Sequence, residues 1–131
     1  MTKSGLVKRM PWTLLLVAAM TLAPARTSLA TTTADGAAAA EVERLTSDIL
    51  SLDGDPAYGE YLGGECVTCH QRSGASDGIP PITGLSVDYA VRALVEYKLG
   101  IRGNEVMKLM TARLDEEEIA ALAAYFAGLE P

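Results

Sequence analysis

Both cysteines and the only histidine of this 131-residue chain lie within five consecutive positions, Cys66-Val67-Thr68-Cys69-His70. Residues three and four apart meet on one face of a helical turn, so the run calls for a single tight turn that presents two sulfurs and an imidazole together. Several chemistries use such groups. A structural zinc site takes four ligands, and no second Cys or His pair is present to complete one. A thioredoxin-like redox pair belongs in a βαβ context, whereas no segment of this chain alternates as a strand does. A plain disulfide is open to an exported protein but leaves His70 without a role.

The reading that uses all three side chains is covalent attachment of a c-type haem. Each thiol adds across a vinyl group to form a thioether, and the adjacent imidazole becomes the proximal ligand of the iron. Both vinyls lie on one edge of the porphyrin, which is why two sulfurs one turn apart suit it. Cys66 and Cys69 are therefore the expected thioether residues and His70 the expected axial ligand of one haem c.

Attachment of this kind follows export, and the N-terminus has an export layout. Lys3, Lys8 and Arg9 precede an uncharged apolar stretch from Trp12 to Ala23, and Ser28-Leu29-Ala30 offers the small residues a signal peptidase selects. The uncharged span from Met10 to Ala25 falls short of the ~20 apolar residues of a membrane-spanning helix. Residues 1–30 read as a cleaved secretory signal, which predicts a periplasmic protein with no stable membrane insertion. Lys3, Lys8, Arg9 and Arg26 leave with the leader and no acid does, so the whole-chain charge of −6 becomes −10, seven Lys+Arg against 17 Asp+Glu. Such a charge argues against a nucleic-acid partner or a basic membrane patch. With Trp12 gone, only Phe126 and five tyrosines supply large rings. That is a thin core for so small a domain, and a cofactor in the middle would make up the deficit.

The remaining chain reads as helices joined by loops. Residues 31–54 form an N-terminal extension: a flexible lead-in over Thr31–Ala40, then an amphipathic helix from Ala37 to Leu52 with Val42, Leu45, Ile49 and Leu52 on one face. Its apolar stripe has two uses, packing on its own domain or docking on a partner. Residues 55–131 form the second unit. Asp55 and Pro56 start a helix that runs to Gly63-Gly64, just before the Cys66–His70 run. Residues 71–85, rich in Gly, Pro, Ser and Asp, form a loop. Ser86 caps a helix from Val87 to Leu99 with Ala90, Leu94 and Tyr97 on one face and Gly100 at its end. After a short basic loop, Asp115 and Glu118 make a capping-box start for the last helix, which turns Ile119, Leu122, Ala123 and Phe126 inward. The fold class is all-α.

A six-coordinate haem needs a second axial ligand, and outside the leader the chain has two methionines, Met107 and Met110, just ahead of the last helix. A thioether favours ferrous iron and raises the potential. On residue type alone either methionine serves, and the other is core filler.

These segments together resemble the class I c-type cytochromes, from Tyr58 to Leu129. Gly59-Glu60-Tyr61-Leu62-Gly63-Gly64-Glu65-Cys66 is similar to the family's N-terminal helix, whose glycine lets the C-terminal helix cross closely. Gly78-Ile79-Pro80-Pro81-Ile82-Thr83-Gly84 resembles the loop whose proline carbonyl accepts the N–H of the proximal imidazole, a role the resemblance assigns to Pro80. The stretch from Val106 to Ile119 resembles the segment in which the axial methionine precedes a final helix beginning L-S-D-E-x-I. Counted back from Leu114 and Ile119, the ligand falls on Met107, with Met110 as the alternative at a place usually held by an aliphatic residue. Gln71 departs from the glycine common after the histidine, and Asp115 replaces the usual serine cap. Ala120 to Phe126 is close to the family's last-helix sequence.

The resemblance implies a small cytochrome c fold, helices packed around one covalent haem, preceded here by a helical extension. It also implies a carrier of single electrons between redox protein partners by outer-sphere transfer, with no catalytic residue. Tyr97-Lys98-Leu99-Gly100-Ile101-Arg102 ahead of Val106-Met107 looks most like the cytochrome subunits of flavocytochrome c sulfide dehydrogenases and their single-haem relatives in sulfur oxidation, which would make a flavoprotein the electron donor. A haem enzyme or gas-binding protein with an open sixth position is a further reading. Lys98, Arg102, Lys108 and Arg113 cluster around the methionines and are expected to give that edge a charge opposite to the rest of the molecule.

Overall fold

The computed structural model describes residues 27–71 and 78–130, and within them every regular element is a helix. In chain order they are α1 (Thr27–Leu50), α2 (Pro56–Cys66), α3 (Val87–Lys98), α4 (Glu105–Ala112) and α5 (Glu116–Ala127). Apart from its last four residues, the expected leader 1–30 lies outside the described residues.

Local chemistry starts each helix of the second unit. Asp55 accepts the N–H of Ala57 at 2.9 Å and of Tyr58 at 3.4 Å, with Pro56 at the first helical position. Ser86 accepts the N–H of Tyr89. At α5 the box is reciprocal: Asp115 Oδ1 accepts the Glu118 N–H at 2.8 Å and Glu118 Oε2 accepts the Asp115 N–H at 2.9 Å. The end of α3 is a Schellman turn, with Gly100 at φ +74°, its N–H on the Tyr97 carbonyl and the Ile101 N–H on the Glu96 carbonyl.

Among the helices, α2 packs against α5 alone, while α1, α3 and α5 share a core to which α4 is attached through α3. Val42, Leu45 and Ile49 of α1, Ala90, Val91 and Val95 of α3, and Ile119, Ala120 and Ala123 of α5 form one buried cluster. The apolar stripe of the extension is therefore spent on its own chain. A paired Glu43 and Arg92 at 2.8 Å flank the α1–α3 contact.

The structure departs from the sequence reading in four places. The helix of the extension starts at Thr27, so the segment 31–40 is helical rather than a flexible lead-in; Ala34 and the run Ala37–Ala40 have the highest helix propensity of any residue type. Leu52 lies past the end of α1 and is 39% exposed. On α3 the deepest positions are Val91 and Val95, with Leu94 and Tyr97 only half-buried, because the face turned to α1 and α5 is rotated by one residue. The presumed loop before the last helix contains α4, opened by Asn104, whose Oδ1 accepts the Met107 N–H at 3.0 Å.

The α2–α5 crossing depends on missing side chains. A Cβ at Gly59 would overlap the carbonyl of Ala121 and lie 2.7 Å from the Cβ of Tyr125, and one at Gly63 would lie 3.1 Å from the rings of Tyr125 and Phe126. Gly59→Ala is expected to cost about 3 kcal/mol in urea unfolding despite its better helix propensity, because backbone cannot yield as a side chain does. Thr46 points the other way: it is buried in α1 and its hydroxyl has no hydrogen-bond partner among the described residues. Thr46→Val keeps the shape, removes the unsatisfied group and should raise stability by about 1 kcal/mol.

Candidate haem-binding site

Cys66 is the last residue of α2, and the turn that follows continues its hydrogen bonding. The Val67 N–H reaches the Gly63 carbonyl at 3.1 Å, and the Cys66 carbonyl accepts the N–H groups of both Cys69 (3.2 Å) and His70 (2.9 Å). One wound turn thus holds all three side chains. The two sulfurs are not joined in a disulfide; Cys66 is half-buried and Cys69 exposed. Burial, and then the neighbouring Glu65 carboxylate, push the Cys66 thiol above its ordinary range, so near neutral pH it is a thiol rather than a thiolate.

His70 Nδ1 lies 2.7 Å from the carbonyl oxygen of Pro80. A carbonyl only accepts, so Nδ1 is the donor and, in the neutral ring, Nε2 keeps the lone pair that a metal takes. The loop that supplies this carbonyl is fixed at both ends of its motif. Gly78 and Gly84 adopt φ +87° and +71°, which a side chain would oppose, and the Gly84 N–H donates to the Phe126 carbonyl on α5 at 2.9 Å.

Met107 and Met110 lie three residues apart on α4, both half-buried, on the side that carries the fully buried Thr111. Val106, one turn from Met110 on the same helix, and Leu109 are 64% and 76% exposed. The Met107 carbonyl accepts the Thr111 hydroxyl at 2.9 Å, so both backbone polar groups of this residue are bound to side chains. Asn104 escaped the sequence reading, although an Asn directly before an acidic Glu105 is a helix-start signal.

The expected cationic edge is neutralised at three of its four residues. Arg102 pairs with Glu96, Lys108 with Glu105 at 2.9 Å, Arg113 with Glu65, and Lys98 donates to the carbonyls of Ala112 and Leu114. The Arg113–Glu65 pair ties the residue before Cys66 to the connection between α4 and α5.

The donor set suits a haem better than a bare ion. Among the described residues no cluster of three or more His, Cys, Asp or Glu is placed to hold a metal ion on its own. Two thiols on one turn, an imidazole with Nδ1 engaged, and thioethers on a separate helix are the groups a covalent haem uses.

Residues 57–130 match the family model described as Cytochrome c. Cytochrome c-554(548) of Halomonas halodenitrificans is 39% identical over 84 residues, 59% of this chain and 99% of that protein. The cytochrome subunit of sulfide dehydrogenase from Chlorobaculum tepidum is 39% identical over 72 residues, 54% of this chain and 66% of that one. A thiosulfate dehydrogenase electron acceptor from Stutzerimonas stutzeri is 34% identical over 88 residues, 58% of this chain and 41% of that protein. With the all-helical architecture and the family model covering more than half of its length, the chain belongs to the cytochrome c family, whose members carry covalently bound haem c.

Proposed function

We propose that this electron-transfer protein works in the periplasm as a single-haem carrier, with Cys66 and Cys69 as the thioether residues and His70 and Met107 as the axial ligands. The observation that carries this reading is the C-x-x-C-H turn with His70 Nδ1 on the Pro80 carbonyl at 2.7 Å. Haem c supplies an iron that alternates between the ferric and ferrous states. The residues do the rest. Cys66 and Cys69 prevent loss of the group and fix its orientation. The Pro80 carbonyl holds the imidazole ring and makes His70 a stronger donor. Met107, a soft neutral ligand, favours the reduced state and fills the position an oxygen or substrate molecule would need, so the protein passes electrons rather than transforming a substrate.

Location rests on residues 1–30 as a cleaved signal, and no described helix is long and apolar enough to cross a membrane. The mature chain then carries −10, and its partners are redox proteins with a basic docking face, steered in over the range of the acidic field. A flavoprotein donor is the second reading, favoured by the likeness to a sulfide dehydrogenase cytochrome subunit and by the segment Tyr97–Arg102. Since Val42, Leu45 and Ile49 are buried against α3 and α5, such a donor has to dock elsewhere than on the stripe of α1.

The ferric holoprotein should show the weak Met-to-iron charge-transfer band, lost in Met107→Ala and kept in Met110→Ala. Loss in Met110→Ala alone would reverse the ligand assignment, and absence from the parent would overturn the carrier reading. Stopped-flow reduction by a basic redox partner should slow by about tenfold or more between low and physiological ionic strength; a salt-independent rate would rule out electrostatic steering.

A further inference from the structure

The helix that carries both methionines is the shortest of the five, and among the described helices it packs against α3 alone. Eight residues do not form a stable helix by themselves in water. Besides the buried Thr111, two cations at and just beyond the C-terminal end of α3 hold the ends of α4. Lys98, the last residue of α3, donates from Nζ to the carbonyls of Ala112 (3.2 Å) and Leu114 (2.6 Å), at the negative end of the α4 dipole.

The other end is held by Arg102. Its backbone N–H returns to the Glu96 carbonyl at 3.1 Å, beside that of Ile101. Its guanidinium lies between two rings of α3, 5.7 Å from the centre of Tyr89 and 5.2 Å from that of Tyr97. One nitrogen donates to the Tyr89 hydroxyl at 3.1 Å, and another lies 3.4 Å from a Glu96 carboxylate oxygen. Two residues further on, Asn104 caps α4 and holds the Met107 N–H. Arg102 thus sits at the start of a short covalent path to Met107, and both its backbone N–H and its side chain bind that start to α3.

We infer that Arg102 and Lys98 are positioning residues that set how readily Met107 gives up the sixth coordination position, by clamping the two ends of α4 to α3. The inference rests on Met107 being the axial ligand. An external ligand binds only when the thioether is displaced, so its apparent affinity is its intrinsic affinity reduced by the fraction of time the site is open, and loosening the clamp raises that fraction.

The test is an optical titration of the ferric holoprotein with imidazole. Arg102→Leu should bind imidazole about tenfold more tightly than the parent, and Tyr89→Phe, which removes a hydroxyl and leaves the ring, about threefold. Arg102→Lys should fall between Arg102→Leu and the parent, because an ammonium keeps the charge and loses the fork. Lys98→Met should shift in the same direction. Ile49→Val, which removes one methylene from the shared core and loosens the domain as a whole rather than the ends of α4, should change the affinity less than Tyr89→Phe does. Arg102→Leu and Tyr89→Phe within twofold of the parent, or an equal gain in Ile49→Val, would overturn the clamp, and Tyr89→Phe decides alone where Arg102→Leu does not accumulate. Loss of the Met-to-iron band in Met107→Ala with unchanged imidazole affinity in the clamp variants overturns this inference only. Persistence of that band in Met107→Ala overturns the ligand assignment and the inference with it.

Discussion

The contact at which α2 crosses α5 over Gly59 and Gly63 determines where the C-x-x-C-H turn begins. Neither glycine leaves room for a Cβ against Ala121, Tyr125 and Phe126, so α2 has one depth and one register on α5. Cys66 ends α2, and the turn to His70 is wound on the Cys66 carbonyl. The Pro80 loop refers to the same helix independently, through the Gly84 N–H on the Phe126 carbonyl. Imidazole and carbonyl are therefore brought to 2.7 Å by two paths that both end on α5. A small displacement of α2 would alter the thiols and the ring orientation together, since they share one turn.

Electrostatics shape the surface more than the core. Beyond residue 30 the chain has seven cations, and the six in the described residues are all engaged: Arg44 with Glu41 and Asp48, Arg92 with Glu43, Lys98 with backbone carbonyls, and Arg102, Lys108 and Arg113 with Glu96, Glu105 and Glu65. Exposed pairs of this kind contribute little to stability. Their effect is to cancel the paired positive charges where they stand, including those of Arg102, Lys108 and Arg113 around the methionines, whereas Lys98 on neutral carbonyls keeps its charge. The surplus of acid then sets the sign of the long-range field, and the edge bearing Val106 and Leu109 is apolar and, except at Lys98, locally balanced.

The sequence was most legible where a single residue type can do a job. The C-x-x-C-H run, the caps at Asp55, Ser86 and Asp115, and the glycine after α3 are all read from local rules, and they stand in the structure where those rules place them. Periodicity was less reliable. It found the inward faces of α1 and α5 but missed by one residue on α3, because Val91 and Leu94 are both apolar and only the neighbouring helices decide which is deeper. It missed α4 altogether, since eight residues span barely two turns and the helix rests on tertiary contacts from Lys98 and Asn104. The partners of Arg102, Lys108 and Arg113 were illegible for the same reason: whether a cation is free depends on which carboxylate the fold sets beside it.

The family match begins at residue 57, yet the core does not. Three of the nine residues in the buried cluster, Val42, Leu45 and Ile49, belong to α1. Burying an aliphatic side chain of this size contributes roughly 1.5–3 kcal/mol, so the three together supply on the order of 5 kcal/mol, comparable to the entire net stability of a small domain. The side chains proposed to hold the haem lie between Cys66 and Met107, whereas a large share of the free energy that keeps α3 and α5 together comes from before the family boundary. Since α3 anchors α4, and α5 anchors both α2 and the Pro80 loop, α1 supports every element of the site without touching the helices that carry its ligands. An extension that reads as an appendage in sequence is, by this arrangement, a foundation of the domain.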